Sequence, residues 1–456
     1  MSTQIIPLDM TYDAYLRDES RLRGHAESIS FPTCESELLE LIQTLRAADI
    51  SITIQGGQTG IAGGAVAQGG HILNLSRMNH ILDIHWDEDG TALLRAEAGL
   101  TMMELKQAAA AFSGRRRIYW PPEPTSLTAT IGGAVATCAK GILSGTADGM
   151  YLEAARLVKE DGTVLPLVRS DGLLEQILGT EGLPGVFSEL TLRLLPEAQD
   201  VWGICVFFDD FDSLCMFAET LSQQPPETLL AAEYLDAAAL HLADTHRTTV
   251  VRLKSIPVFP AEEGAIYLEL HGTESKIVED ADHLLETAMG CGCDDQQIWA
   301  VSGASEVERL RELRIVLQEL VGMHYDGLPV GHVRLVTDMS FPQDRFRMTV
   351  QRYHCDAAAS GLTCCVFGHI LQNHLTACIL PETPEAHADG ISLLRHWADI
   401  SLAQGGETVR SYGVGTLAKQ LLMDRLPAGK LERCRHITAQ LAPARIWNRA
   451  VMPDVP

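Results

Sequence analysis

The sequence predicts an α+β protein in two large parts. The first is organised by glycine-rich loops, and the second by alternating strands and helices of ferredoxin-like type. Three observations predict this. Near residue 55 an apolar strand runs directly into a glycine run and out into a second strand. Beyond about Pro196 strand and helix patterns alternate. The 456 residues, 46% apolar and 21% charged, suffice for two large or three smaller cored units at about 150 residues each.

Taken in order, Thr33 is placed to cap a helix whose first turn carries Glu35 and Glu37. Leu38, Leu41, Ile42 and Leu45 then recur at helical spacing. Ile50, Ile52 and Ile54 alternate as a strand that enters Gln55-Gly56-Gly57-Gln58-Thr59-Gly60-Ile61-Ala62-Gly63-Gly64, and His71 to Leu75 forms the next strand. Without Cβ atoms such a loop can approach a ligand closely and take positive φ. Its consecutive N–H groups can converge on phosphate oxygens. It is not a Walker A loop, because no Gly-Lys-Ser/Thr follows. It is not the dinucleotide G-x-G-x-x-G either, because a strand follows rather than a helix. Taken alone, it also fits a plain turn-rich connection.

A second glycine segment follows, Tyr119 to Gly141. Pro121, Pro122 and Pro124 predict an extended approach. Ser126, Thr128 and Thr130 supply hydroxyls, and Gly132-Gly133 opens a short helix of small residues against which a flat ring system can lie. A third segment, Leu178 to Phe187, precedes the alternating strand Leu190, Leu192 and Leu194.

Composition excludes several classes. Thirty-five basic against 60 acidic residues leave a formal charge of −25, which repels a phosphate backbone and argues against nucleic-acid binding. No apolar run reaches the roughly 18–20 residues of a membrane span, and the amino terminus shows no export signal. The 11 cysteines lack any repeated C-x₂-C spacing, so reduced, mostly buried thiols in a cytoplasmic protein are expected rather than disulfides or an iron–sulfur cluster.

The three glycine segments together resemble the flavin-binding domain of the vanillyl-alcohol oxidase / p-cresol methylhydroxylase superfamily. Within it they resemble the group formed by the D-lactate dehydrogenases and the flavin-carrying component of glycolate oxidase. Its patterns are R-G-G-G-T-G-x-x-G-G, then P-P-D-P-S-S with T-I-G-G-N-x-A-T-N-A-G-G, then G-S-E-G-T-L-G-I. The resemblance implies a two-part FAD-binding domain of the p-cresol methylhydroxylase type over residues 1–197. It implies a substrate or cap domain over 198–416, and a helical segment, 417–456, returning to the first domain. It places the loop residues Gly56, Gly57, Gln58, Thr59, Gly60, Ile61, Gly63 and Gly64 on the FAD pyrophosphate, with Gln55 before them also among the cofactor-binding residues. Pro122, Glu123, Ser126, Thr130, Gly132, Gly133, Ala136 and Thr137 would lie along the flavin and ribityl chain, and Glu181, Gly185 and Val186 near the adenine. Gln55, Ala134 and Leu183 replace the Arg, Asn and Thr of the patterns. The loop has no His at the position where relatives attach the flavin covalently, so non-covalent FAD is expected.

In the second half, strands are predicted at Cys205 to Phe208 and at Ala265 to Leu270, helices at Leu214 to Leu221 and at Ile277 to Met289, and a strand then a helix within Glu227 to Leu242. Leu310 to Ile315 resembles the family's L-R-E-x-I helix, and Asp338 to Phe346 its D-x-S-x-P-x-x-R-L segment. Gly368 to Pro381 aligns without a gap on G-H-I-G-D-G-N-L-H-x-N-I-L-P, and Gly405 to Gly415 on the G-G-x-I-S-x-E-H-G-I-G region. Metal-bearing relatives hold a divalent ion with two His and one Glu from these motifs. Here the first His is kept as His369, while Thr376 and Ser411 replace the other two ligands and Tyr412 the His beside that Glu. No catalytic metal is therefore expected, although His374 on the Asn position leaves a rearranged site open.

The resemblance implies an FAD-dependent dehydrogenase of a small 2-hydroxy acid, with electrons passed to a carrier protein or an iron–sulfur subunit. His369 is the expected general base, with His374 and Tyr412 beside it. Arg311 is the expected carboxylate anchor and Arg314 the fallback. Val336 stands where the family has Lys. The alternatives are a flavin-bound but catalytically degraded subunit, and a flavoenzyme resembling alkylglycerone-phosphate synthase. A homodimer is compatible with the sequence.

Overall fold

A computed structural model describes residues 4–113, 117–143, 151–329 and 331–451; residues 452–456 of the expected tail lie outside it. The chain forms two compact units. One comprises Met1–Gly141, Thr146–Glu197 and Val409–Pro456, and the other Ile142–Gly145 and Ala198–Thr408. The chain thus returns to the first unit at Val409, earlier than the 416/417 boundary expected from the sequence.

In the first unit the helix Glu35–Ala47 buries Leu38, Leu41, Ile42 and Leu45, about 1.5–3 kcal/mol for each side chain removed from water. Its cap differs from expectation. Cys34 is the N-cap and makes no side-chain cap bond, while Glu37 reaches back to accept from the N–H and Oγ1–H of Thr33. The strands Ile52–Gln55 and His71–Asn74 pair in parallel, so the glycine loop is a crossover with no helix of its own. They lie in a four-stranded sheet with Ser28–Ser30 and Ile6–Pro7. A bridge between Ile52 and Trp447 brings the tail alongside Ile52–Gln55.

The other sheet of this unit is antiparallel along the order Ile81–Trp86, Ala92–Glu97, Val186–Pro196, Leu152–Val158 and Val164–Val168, with Ile118–Tyr119 paired to Val186–Pro196. The prolines after Trp120 do not extend the chain as expected. Pro121 and Pro122 stand in a turn closed by Glu123 N–H donating to Trp120 O at 3.2 Å, since the φ fixed by proline also suits a turn.

The second unit is built on a six-stranded antiparallel sheet. Its order is Ile298–Ser302, Asp200–Phe208, Gly264–Gly272, Leu229–Asp236, Cys364–His369 and His374–Ile379. The first four strands are the fourth, first, third and second in chain order, which is the ferredoxin-like arrangement, and a hairpin extends it. Asp210 caps the helix Phe211–Gln223 and Asp236 the helix Ala237–Thr245 by accepting backbone N–H groups. The long helix Ala304–Asp326 buries Leu310, Leu313, Leu317 and Leu320. All 11 cysteines are free thiols. Among the described residues no helix is long and apolar enough to cross a membrane.

Candidate functional site

Within the first unit the glycine loop is fixed by its own sequence. Gln55, 1% exposed, donates from Nε2 to Tyr15 O and to Ala65 O, both at 2.7 Å, and its Oε1 accepts from Asn74. Its side chain therefore staples the base of the loop. Gln58, with φ +56°, donates to Ala14 O and Arg17 O. Asp18 lies beside the loop, its carboxyl pushed up to about 6 by burial.

The first two motifs meet by close backbone approach. A Cβ on Gly56 would collide with Thr130 Oγ1, and one on Gly57 with the Thr128 carbonyl. Thr130 in turn caps the helix Ile131–Thr137, accepting from Gly133 N–H. Gly132 leaves no room for a Cβ against Ala98, and its N–H donates to Ala98 O. Thr137 Oγ1–H donates to Gly133 O and Ala136 O accepts from Glu181 N–H. Ser126 Oγ lies 3.2 Å from Thr128 Oγ1, and Pro122 is buried. Glu123 is paired with Lys106.

The third motif serves the tail. Glu181 (φ +57°) accepts from Val414 N–H at 2.6 Å and Gly415 N–H at 2.8 Å, at the start of the helix Gly415–Leu422. Leu417 N–H donates to Ala62 O, so this helix also backs the glycine loop, and Gly63 lies against Leu417. Gly185 approaches the Val158 carbonyl, and Val186 pairs with Val158 in the sheet. Glu181, Gly185 and Val186 are thus committed to the frame. Tyr412, half-buried, lies just before the Gly413 turn.

Among the described residues none of the N–H groups from Gly56 to Gly64 donates to a protein acceptor. No Lys or Arg stands in residues 55–64. A glycine-rich run of amides without protein acceptors fits a diphosphate held by main-chain dipoles.

Within the second unit, one row of directly opposed residues crosses the whole sheet: Trp299, Cys205, Tyr267, Glu233, His369 and His374. Opposed residues share a face, which brings His369 to Glu233 although nothing in the local sequence joins them. His369 Nδ1 is in contact with Glu233 Oε1, and Arg314 Nε donates to Glu233 Oε2 at 2.6 Å while its guanidinium lies over Phe367. Burial would raise the Glu233 carboxyl, but His369 and Arg314 reverse this and hold it below the usual carboxylate range. His374 Nε2 is 3.1 Å from Asp338 Oδ1, and the two imidazole rings are 6.0 Å apart.

Arg311, expected to grip a substrate carboxylate, places its fork on Glu269, Nε to Oε1 at 2.5 Å and Nη2 to Oε2 at 2.7 Å. Burial opposes ionisation of Glu269, but His271, Arg311 and Tyr267 hold it down at about 2. Arg311 and Arg314, three apart on one helix face, thus clamp the helix to two sheet glutamates. Sequence reasoning missed Glu233 and Glu269. The available signal was a carboxylate inside each of two strongly apolar strands. Among the described residues no group of three or more His, Cys, Asp or Glu side chains is arranged to hold a metal ion.

Two family profiles match the chain. The one described as FAD binding domain covers residues 26–167, and the one described as FAD linked oxidases, C-terminal domain, covers residues 196–451. The D-lactate dehydrogenase [cytochrome], mitochondrial, of Arabidopsis thaliana is 24% identical over 434 residues, 92% of this chain and 72% of that protein. The D-lactate dehydrogenase of Archaeoglobus fulgidus is 24% identical over 431 residues, 91% of this chain and 89% of that one. The solved structure of 4-ethylphenol oxidase from Gulosibacter chungangensis shares the fold, with a TM-score of 0.73 at 13% identity, covering 99% of this chain and 95% of that one.

Proposed function

Because the chain belongs to the FAD-linked oxidases, whose C-terminal domain profile spans more than half of it, we propose that this FAD-dependent oxidoreductase oxidises the C2–OH of a small 2-hydroxy acid and passes the electrons to a separate carrier. Support for the substrate class comes from relatives named as D-lactate dehydrogenases. Support for a carrier comes from the cytochrome in the name of one of them.

In this reading the amides of Gly56 to Gly64 bind the FAD diphosphate non-covalently, and Thr128 to Gly133 form the wall behind it. When bound, FAD supplies the hydride acceptor. His369 accepts the substrate hydroxyl proton at Nε2, because its Nδ1 side faces Glu233. His374, beside it on the same sheet row, assists in holding the hydroxyl. The observation that carries the assignment is His369 itself, a partly exposed imidazole in contact with a fully buried carboxylate.

The commitment of Arg311 and Arg314 to buried glutamates favours a second reading, a flavin-bound subunit with no turnover of its own. Anaerobic mixing of the FAD-loaded chain with D- and L-2-hydroxy acids tests the two. Bleaching of the flavin by one enantiomeric series supports the first. A tightly held flavin that none of them bleaches supports the second.

A further inference from the structure

We propose that Glu233 is the positioning residue of His369: it fixes the imidazole as the Nδ1–H tautomer, so that Nε2 presents the lone pair. The inference rests on the reading of His369 as the base only for its functional consequence; the tautomer itself is a property of the fold.

Glu233 and His369 are directly opposed on neighbouring antiparallel strands, a placement in which side chains on one face lie within contact distance. Glu233 is 0% exposed, so water cannot compete for its oxygens. One oxygen lies in contact with His369 Nδ1, outside hydrogen-bond geometry and with no other donor among the described residues to serve it, and the other accepts from Arg314 Nε. The imidazole N–H is the donor that a small ring rotation brings to it. An ionised carboxylate only accepts, so a neutral imidazole meeting it through Nδ1 carries its proton there and leaves Nε2 bare. Gly368 keeps the strand close: at φ +142° its missing Cβ would strike the His374 carbonyl. His374, the cross-strand neighbour of His369, faces Asp338 through Nε2 instead. The same rule therefore gives it the opposite tautomer. Two adjacent imidazoles of opposite tautomer distinguish this arrangement from a generic polar cluster. The Arg314 guanidinium, lying over Phe367, keeps the carboxylate charged and still.

The test uses the full-length, FAD-loaded chain with 15N-labelled histidine, observed by two-bond 1H–15N correlation at a pH where the imidazoles are neutral. Signals are assigned by their loss in His369→Gln and His374→Gln. The expected result is an Nδ1–H ring for His369 and an Nε2–H ring for His374. In Glu233→Gln the His369 preference is expected to collapse to a mixture, and flavin reduction to fall about 10²–10⁴-fold with KM changed less than about threefold. An Nε2–H His369 in the wild-type chain overturns the proposal, as does a Glu233→Gln chain with unchanged tautomer and rate. If Glu233→Gln fails to fold because Arg314 is left unpaired, the wild-type spectrum decides. A wild-type rate in His369→Ala would sink the base assignment while leaving the tautomer result to stand or fall separately.

Discussion

Gly57 has almost no freedom. Its Cβ position is occupied by the Thr128 carbonyl, a backbone atom that cannot move aside, whereas a Cβ on Gly64 meets nothing within 4 Å. Gly57→Ala should therefore cost about 1–3 kcal/mol and release most of the FAD, while Gly64→Ala should keep it. Flavin absorbance per chain after gel filtration checks both. His71 gives a pH prediction. It is fully buried with Nδ1 on Ser28 Oγ, and burial pushes it down to about 4. Below its unfolded value of about 6.5 the unfolded chain binds a proton that the folded chain refuses, so stability falls as pH drops. Between pH 7 and pH 5 the loss from this residue is about 2 kcal/mol. Denaturation midpoints of the chain and of His71→Asn should diverge in that window by about this amount. Glycines are legible at this scale, because a missing Cβ has a meaning independent of partners. The side chains of Gln55 and Glu123 are not, because what a polar side chain does depends on which distant carbonyl or ammonium the fold brings to it.

Among elements, the tail is the one whose placement is least local. Asn448 donates from Nδ2 to Glu181 O, accepts from Ile54 N–H and sends its own N–H to Ile52 O, while the Glu181 carboxylate receives the start of the helix Gly415–Leu422. Third motif, glycine-loop strand and tail are thus one knot. Glu181→Gln removes the charge from two short bonds and should cost about 1.5–3 kcal/mol, seen as a lower denaturation midpoint together with faster FAD release. A variant as stable as the wild type would show that the knot carries no weight. Strands and helices were legible from their period, and the ferredoxin-like type from their alternation; the one cap read from the sequence, Thr33, was not, because Cys34 takes the N-cap position. The pairing register was not legible. Glu233 and His369 lie far apart in sequence, and only the sheet order makes them neighbours.

For the whole molecule, 35 basic and 60 acidic residues leave a charge of −25. A carrier that takes electrons from such a chain is best steered if its surface is basic. Electron transfer to a basic protein acceptor should slow as ionic strength rises, while transfer to a neutral dye should not; equal salt dependence would remove charge steering from the account. The central claim is that the first unit holds FAD by main-chain amides and without a covalent bond. The most direct measurement is the flavin content of the purified full-length chain before and after acid precipitation, alongside Gly57→Asp. The expected result is one FAD per chain, freed intact into the acid supernatant and missing from the variant. A colourless wild-type chain that takes up no added FAD, or flavin that stays with the precipitated protein, would contradict it.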